Sequence, residues 1–225
     1  MPAYNAEHTL EGTLMRLPSA GIDIRVLVDD CSRDNTVSKA ISLGLTPIVH
    51  AENRGYGGNQ KSCYEAALEA GAAQIVMLHP DLQYPPELVV ALAEPIRCGS
   101  FDVMLGSRMS GRGPAGMPGW RKLGNKLLTG FQNRCLGMAL TEYHTGFRAY
   151  SRKVLETLDF RSFSDDFLFD NQFLIAAIQA DFRIGELSIP THYGPESSSI
   201  SFPRAVRYGL GVVQESLRAT KRRAG

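Results

Sequence analysis

The feature that most constrains this fold is an alternation. Through the first half of the chain, short apolar runs trade places with segments of helical period. Asp23 to Asp29 holds IRVLV, Thr46 to His50 is a second run, Ile75 to Leu78 a third, and Phe101 to Leu105 a fourth. Between them, residues 7 to 17 carry Leu10, Leu14 and Leu17 on one helical face. Asp34-Asn35-Thr36 opens a helix continuing to Leu43, Asn59 to Ala70 forms another, and Pro85-Pro86 opens one ending near Cys98. Strands and helices alternating at these lengths predict a parallel sheet wound on both faces. Ligands of such sheets bind outside the carboxyl ends of the strands.

The second half reads differently. Residues 109 to 119, MSGRGPAGMPG, form a long glycine- and proline-rich loop, of the kind that carries function. Trp120 to Leu136 is predicted as a helix, Thr145 to Tyr150 as a strand, Phe169 to Ala180 as a helix and Arg183 to Pro190 as a strand. A polar loop over 193 to 201 follows, then a helix from Arg204 to about Arg218 with a basic tail, Lys221-Arg222-Arg223. That helix is amphipathic through Val206, Leu210, Val213 and Leu217, which pack either on the same domain or on a second copy, so a homodimer is left open. The expected division is a domain over 1–203, with halves 1–108 and 109–203, and a C-terminal helix and tail over 204–225.

Composition removes several classes. Of the 225 residues 44% are hydrophobic and 21% charged, as in ordinary soluble domains, and the formal net charge is +1. Nothing global points to nucleic acid. Cys31, Cys63, Cys98 and Cys135 show no paired spacing and are expected as free thiols in a reducing compartment. No window reaches the roughly 18 unbroken apolar residues of a membrane span. The expected location is the cytoplasm, with peripheral contact on the inner membrane face as the alternative. One feature is awkward: Met1-Pro2-Ala3-Tyr4-Asn5 looks like the exit from a strand that is not there, so the first strand is expected to be truncated or missing.

The densest chemistry is IVMLHPDLQYPPELV, residues 75 to 89. On an extended segment successive side chains alternate faces, so His79, Asp81 and Gln83 are expected to point the same way. Imidazole, carboxylate and amide at a strand's carboxyl end suit Mg²⁺ or Mn²⁺ carried in with a phosphorylated substrate.

The motifs together resemble the family-2 glycosyltransferases, inverting enzymes of the GT-A fold, and in particular the branch that transfers sugars to polyprenyl or dolichyl phosphate. PAYNAEHTL (2–10), VDDCSRDNT (28–36), NRGYGGNQKSCYEAAL (53–68), MLHPDLQYPPELV (77–89), GSR (106–108), TGFRAYSRKVL (145–155), FDNQ (169–172) and IGELSIPTHYGPESSSIS (184–201) run in the family's order and cover nearly the whole chain. The resemblance implies an α/β GT-A fold, a doubly wound mixed sheet flanked by helices. It implies metal-dependent transfer of one sugar, with inversion, from a UDP- or GDP-linked donor to a polyprenyl phosphate or a soluble saccharide or metabolite. The alternative is a nucleotide-sugar-binding protein without catalysis. The QxxRW signature of processive synthases is absent, since Gln172 precedes Phe173, Leu174 and Ile175.

The site residues follow from the same resemblance. Asp29 and Asp30 are expected to hold the nucleoside, with Pro2, Ala3, Tyr4 and Asn5 as the other wall of the base pocket; Tyr4 has a core role as its alternative. Asn53, Gly57 and the turn around them open a helix whose free N–H groups suit an anion. Lys61 either approaches a phosphate or is solvated. Asp81, with His79 and Gln83, is expected to hold the divalent cation, although His79 stands where the family has a carboxylate. Arg108 and Arg148 suit phosphates. Asp170, with Gln172 beside it, is the candidate general base for a hydroxyl acceptor; a lipid phosphate, already anionic, needs none. His192 stands where close relatives often carry Arg.

Overall fold

The computed structural model describes residues 1–111, 116–190 and 202–224. Three short parallel strands come first: β1 (Pro2–Ala3), β2 (Val28–Asp29) and β3 (Ile48–Val49), with Pro2 opposite Val28 and Val28 opposite Ile48. The helices between them are α1 (Leu10–Met15) and α2 (Thr36–Ser42). Asp34 sets the start of α2, accepting from the Thr36 N–H at 3.0 Å and the Thr36 hydroxyl at 2.5 Å. The expectation of a missing first strand is corrected here. Pro2–Ala3 is that strand, short but paired with β2. Of the run predicted from Asp23 to Asp29, only the last two residues form ladder pairs.

The second sheet has the order β4-β6-β5-β7, from β4 (Gln74–Met77), β5 (Val103–Ser107), β6 (Arg148–Ser151) and β7 (Ile184–Ser188). β6 runs antiparallel to both neighbours, and β5 and β7 are parallel, which makes this sheet mixed. Every residue of β5 is buried, as expected of a strand covered on both faces. The flanking helices are α3 (Gly55–Glu69), α4 (Val89–Arg97), α5 (Gly119–Leu136), α6 (Arg152–Thr157), α7 (Leu168–Gln179) and α8 (Phe202–Ala224). The sequence reading missed α6, six residues that follow β6 without a loop and lack the length for a periodic signal.

Three apolar clusters occur among the described residues, and the two larger ones hold the layers together. On one side Tyr64 of α3, Tyr150 of β6 and Phe160, Phe169 and Phe173 interlock, with Tyr64 edge-on to Tyr150 at 5.6 Å between centroids. Such pairs add about 0.5–1.5 kcal/mol each beyond the area they bury. On the other side Leu92 and Ile96 of α4 pack on Met104, Phe147 and Ala149. The four cysteines are free thiols. No described helix is long and apolar enough to cross a membrane.

Candidate active site

β4 ends at Met77, and the chain beyond it does not continue as a strand. Leu82 adopts φ +57°, and Asp81 accepts from the Gln83 N–H at 3.0 Å. A compact turn, not strand alternation, therefore gathers the three predicted metal ligands. Thr9 at the head of α1 donates its hydroxyl to the Pro80 carbonyl, tying the turn to the first sheet. His79, Asp81 and Gln83 line one cavity of about 430 Å³ together with Arg108 and Asp170. That volume suits a small organic ligand.

The polar floor of the cavity is well tied. Asp170, in the first turn of α7, accepts from the Tyr56 hydroxyl at 2.7 Å and from Gln60 at 3.3 Å. Burial and the Asp170 charge push the Tyr56 phenol well above its ordinary value, so it stays protonated as the donor. The Tyr56 ring stacks on His79 at 5.2 Å between centroids, and its hydroxyl lies 3.2 Å from His79 Nε2. Burial pushes His79 below its ordinary value against the opposing pull of Asp81 and Asp170, which favours the neutral imidazole that a metal ligand requires. Gly146 keeps this corner open: a Cβ there would stand 2.9 Å from Tyr56 Oη and 3.2 Å from His79 Nε2.

Arg108 sits at the cavity edge in a buried ion pair with Glu142, which also takes the Arg108 N–H at 2.7 Å and Asn125 at 2.7 Å. Burial pushes Glu142 up, but Arg108 outweighs it and holds the carboxyl below its usual range. Arg108 Nη2 also donates to the His144 carbonyl at 2.7 Å. The His144 ring lies 2.8 Å from the Tyr208 hydroxyl on α8, and burial drives its pKa down to about 4. Tyr56, Glu142, His144 and Tyr208 escaped the sequence reading. Only Tyr56, inside the glycine-rich turn, carried a local signal.

Several predicted residues serve the scaffold instead. Arg148 was expected at a phosphate, yet it is fully buried and donates to three carbonyls: Thr145 at 2.7 Å, Asp170 at 2.5 Å and Tyr143 at 2.8 Å. Lys61 turns away from the cavity to the Phe163 carbonyl at 2.5 Å and Asp165 at 2.7 Å. Gln172 accepts from the Ser164 N–H at 2.7 Å and donates to Glu215 at 3.4 Å, bracing α7 against α8. Four of the amides opening α3 are already taken. Asp30 takes those of Arg54 and Gly55, and the Asp165 carbonyl takes those of Gly57 and Gly58.

The residues expected to hold the nucleoside lie at the ends of β1 and β2, outside the lining of this cavity. Asp29 accepts from the Ser32 N–H and hydroxyl at 2.9 and 2.5 Å. Asp30 meets His50 at 2.7 Å, and the other ring nitrogen of His50 meets Ser62 at 2.9 Å. Asn53 donates to the Asp30 carbonyl at 3.0 Å. Pro2 and Ala3 are buried in β1. Asn5, at φ +52°, accepts from the Arg33 N–H at 2.9 Å, and Tyr4 is exposed beside it, not in the core. His192 and most of the closing segment lie outside the described residues.

No group of three His, Cys, Asp or Glu side chains that would enclose a cation occurs among the described residues. The donor set of Asp81, His79 and Gln83 thus fits a cation held partly by substrate phosphates, as Mg²⁺ and Mn²⁺ commonly are, and not one caged by protein alone.

Known proteins resemble this chain in sequence and in fold. Residues 1–159 match the family model described as Glycosyl transferase family 2. The UDP-N-acetylglucosamine–dolichyl-phosphate N-acetylglucosaminyltransferase of Methanococcus voltae is 28% identical over 211 residues, covering 86% of this chain and 84% of the relative. The undecaprenyl-phosphate 4-deoxy-4-formamido-L-arabinose transferase of Pseudomonas aeruginosa is 31% identical over 168 residues, 70% of this chain and 48% of that one, so the match spans about half of that relative's length. Glucosyl-3-phosphoglycerate synthase from Mycobacterium tuberculosis, solved with Mn²⁺, UDP and glucosyl-3-phosphoglycerate, superposes with a TM-score of 0.75 at 18% identity, over 98% of this chain and 78% of that one. At that identity the likeness establishes the GT-A glycosyltransferase fold. With most of its length matched by the family model, the chain belongs to glycosyl transferase family 2 and is a glycosyltransferase.

Proposed function

We propose that this enzyme transfers one sugar, with inversion, from a nucleotide-diphospho-sugar to a polyprenyl phosphate, using a divalent cation and releasing product after each transfer. The observation that carries the reading is the amphipathic cavity. Asp81, His79 and Arg108 line it on the polar side, while Trp120, Leu128 and Val206 give it apolar walls. An acceptor with an anionic head and a hydrocarbon body matches both. The names of the Methanococcus and Pseudomonas relatives support the lipid phosphate, and the former supports uridine as the first donor base to test. A lipid acceptor requires that the enzyme work at a membrane surface, which fits a cytoplasmic protein in peripheral contact with the inner face.

In this reading Asp81 is the principal metal ligand, with His79 and Gln83 beside it. The cation, when bound, neutralises the diphosphate leaving group. Asp29, Asp30, Tyr4 and Asn5 take the nucleoside; part of the loop over 109 to 119 lies outside the described residues. The attacking phosphate oxygen is already anionic, so Asp170 removes no proton from it. Its carboxylate instead fixes Tyr56 and Gln60 against the acceptor side.

Thermal-shift titration with UDP, GDP and their sugars, with and without Mn²⁺, tests the donor half. A true donor at a hundredfold excess over Kd adds about 2.7 kcal/mol of stability. That shift is expected to require Mn²⁺ and to vanish in Asp81→Ala; no shift with any nucleotide overturns the transferase chemistry. Asp170→Asn separates the acceptors. With polyprenyl phosphate, transfer should fall about tenfold or less, whereas a hydroxyl acceptor that needs a base predicts a loss of about 10²–10⁴.

A further inference from the structure

α5 is built inside out. Its buried face is largely polar, through Asn125, Thr129 and Gln132. Its outward face carries Trp120, Leu123 and Leu127 at helical spacing, and Leu127 is 66% exposed. α8 also carries apolar side chains outward. Val206, Leu210 and Leu217 face solvent, with Leu210 68% exposed, so these three do not pack on their own domain.

The two stripes share one surface. α5 and α8 lie side by side in the same direction: a Cβ at Gly209 would touch Leu128 at 3.7 Å, and eleven residues on, Thr220 donates to the Cys135 carbonyl at 3.2 Å. On each helix the apolar stripe adjoins this seam on the side away from the core. Large exposed apolar patches mark interaction sites.

Charge says what covers this one. α5 carries four Lys or Arg and no acid; α8 carries six Lys or Arg and a single acid, Glu215, which pairs with Arg218 at 3.0 Å. The whole chain is only +1, so the rest of the molecule is net acidic. A second copy meeting this face through the same helices would set like charges against each other. An anionic bilayer meets both its apolar and its basic character, as it does for interfacial helices with Trp and Leu on one side and Lys and Arg around them. Neither helix is apolar enough to cross. The cavity opens here: Trp120 and Val206 belong both to its lining and to this face.

We propose that the outer face of α5 and α8 seats the enzyme on an anionic bilayer surface, with the cavity mouth turned to the headgroups, so that the acceptor enters from the membrane plane. This deepens the lipid-phosphate reading and rests on it for its purpose, but its test does not pass through catalysis.

Cosedimentation with phosphatidylcholine vesicles, with and without phosphatidylglycerol and without any polyprenyl phosphate, tests it. Wild type should bind the anionic vesicles about tenfold better than the neutral ones, and less at high salt. Leu127→Glu/Leu210→Glu and Lys126→Glu/Arg207→Glu lie outside the cavity lining and on exposed positions. Each should lose about tenfold in vesicle binding while keeping the wild-type melting temperature and the Mn²⁺-dependent nucleotide shift. The inference is overturned if wild type ignores anionic vesicles, or if correctly folded variants bind them as well as wild type does. It is equally overturned if Leu127→Glu/Leu210→Glu abolishes a wild-type dimer and vesicle binding is absent throughout. Vesicle binding without any nucleotide shift would sink the transferase chemistry and leave the docking face standing; the reverse would sink only the docking face.

Discussion

At the scale of single residues, position in space decides what a side chain is for. Gly57 and Arg148 both looked like phosphate-handling residues, and both turn out to hold the scaffold. A Cβ at Gly57 would stand 2.3 Å from the Ser164 carbonyl and 2.8 Å from Phe169 Cβ, so no alanine fits without backbone movement. Gly57→Ala should cost about 2–4 kcal/mol, read as a lowered denaturation midpoint at unchanged slope. Arg148 spreads its guanidinium over three carbonyls from two segments. A lysine ammonium is a point donor and cannot reproduce that fork. Arg148→Lys is therefore expected to destabilise by about 2–4 kcal/mol, since buried carbonyls lose their partners. If Arg148→Lys melts like wild type and instead weakens nucleotide binding alone, the scaffold role is wrong.

Among the elements, the least expected contact is polar. α5 and α7 meet through a reciprocal amide pair, Gln132 to Asn171 at 3.3 Å and Asn171 to Gln132 at 3.1 Å, both fully buried. Truncating one partner strands the other, whereas replacing both removes the need. Gln132→Leu alone should cost about 1–3 kcal/mol, and Gln132→Leu/Asn171→Leu should recover most of it; simple additivity in the double-mutant cycle would show that the pair is not coupled. The same pairing explains the face that α5 buries: the polar side turns inward because its amides find partners in Glu142 and α7.

For the molecule as a whole, acidity is the weak flank. Burial holds His144 near pKa 4 against an ordinary 6.5, and shifts His79 in the same direction. The unfolded chain then binds more protons than the folded one between those values, so stability is full above about pH 6.5 and is lost as pH falls toward 4. Melting at pH 7 and pH 5 should differ by about 1–3 kcal/mol in stability, and His144→Asn should flatten that slope in proportion to its share. An unchanged slope in the variant would assign the acid sensitivity elsewhere.

The sequence by itself determined most of the order of strands and helices, the α/β class and the cluster of polar residues after β4, because periodicity, helix starts and strand-end polar residues are local signals; β1, α6 and the turn at Asp81 came only from the structure. It also determined the family, through motifs spread over the chain. Tertiary structure alone decided which of the polar residues stay available to a ligand. Arg148 finds its partners by the fold of the Tyr143–Thr145 stretch and α7, Lys61 by a loop about a hundred residues away, and His50 by Asp30 across two strands. It also decided that α5 and α8 turn their leucines outward. Burial and hydrogen-bond satisfaction depend on which distant segments meet, and no window of sequence contains that distance.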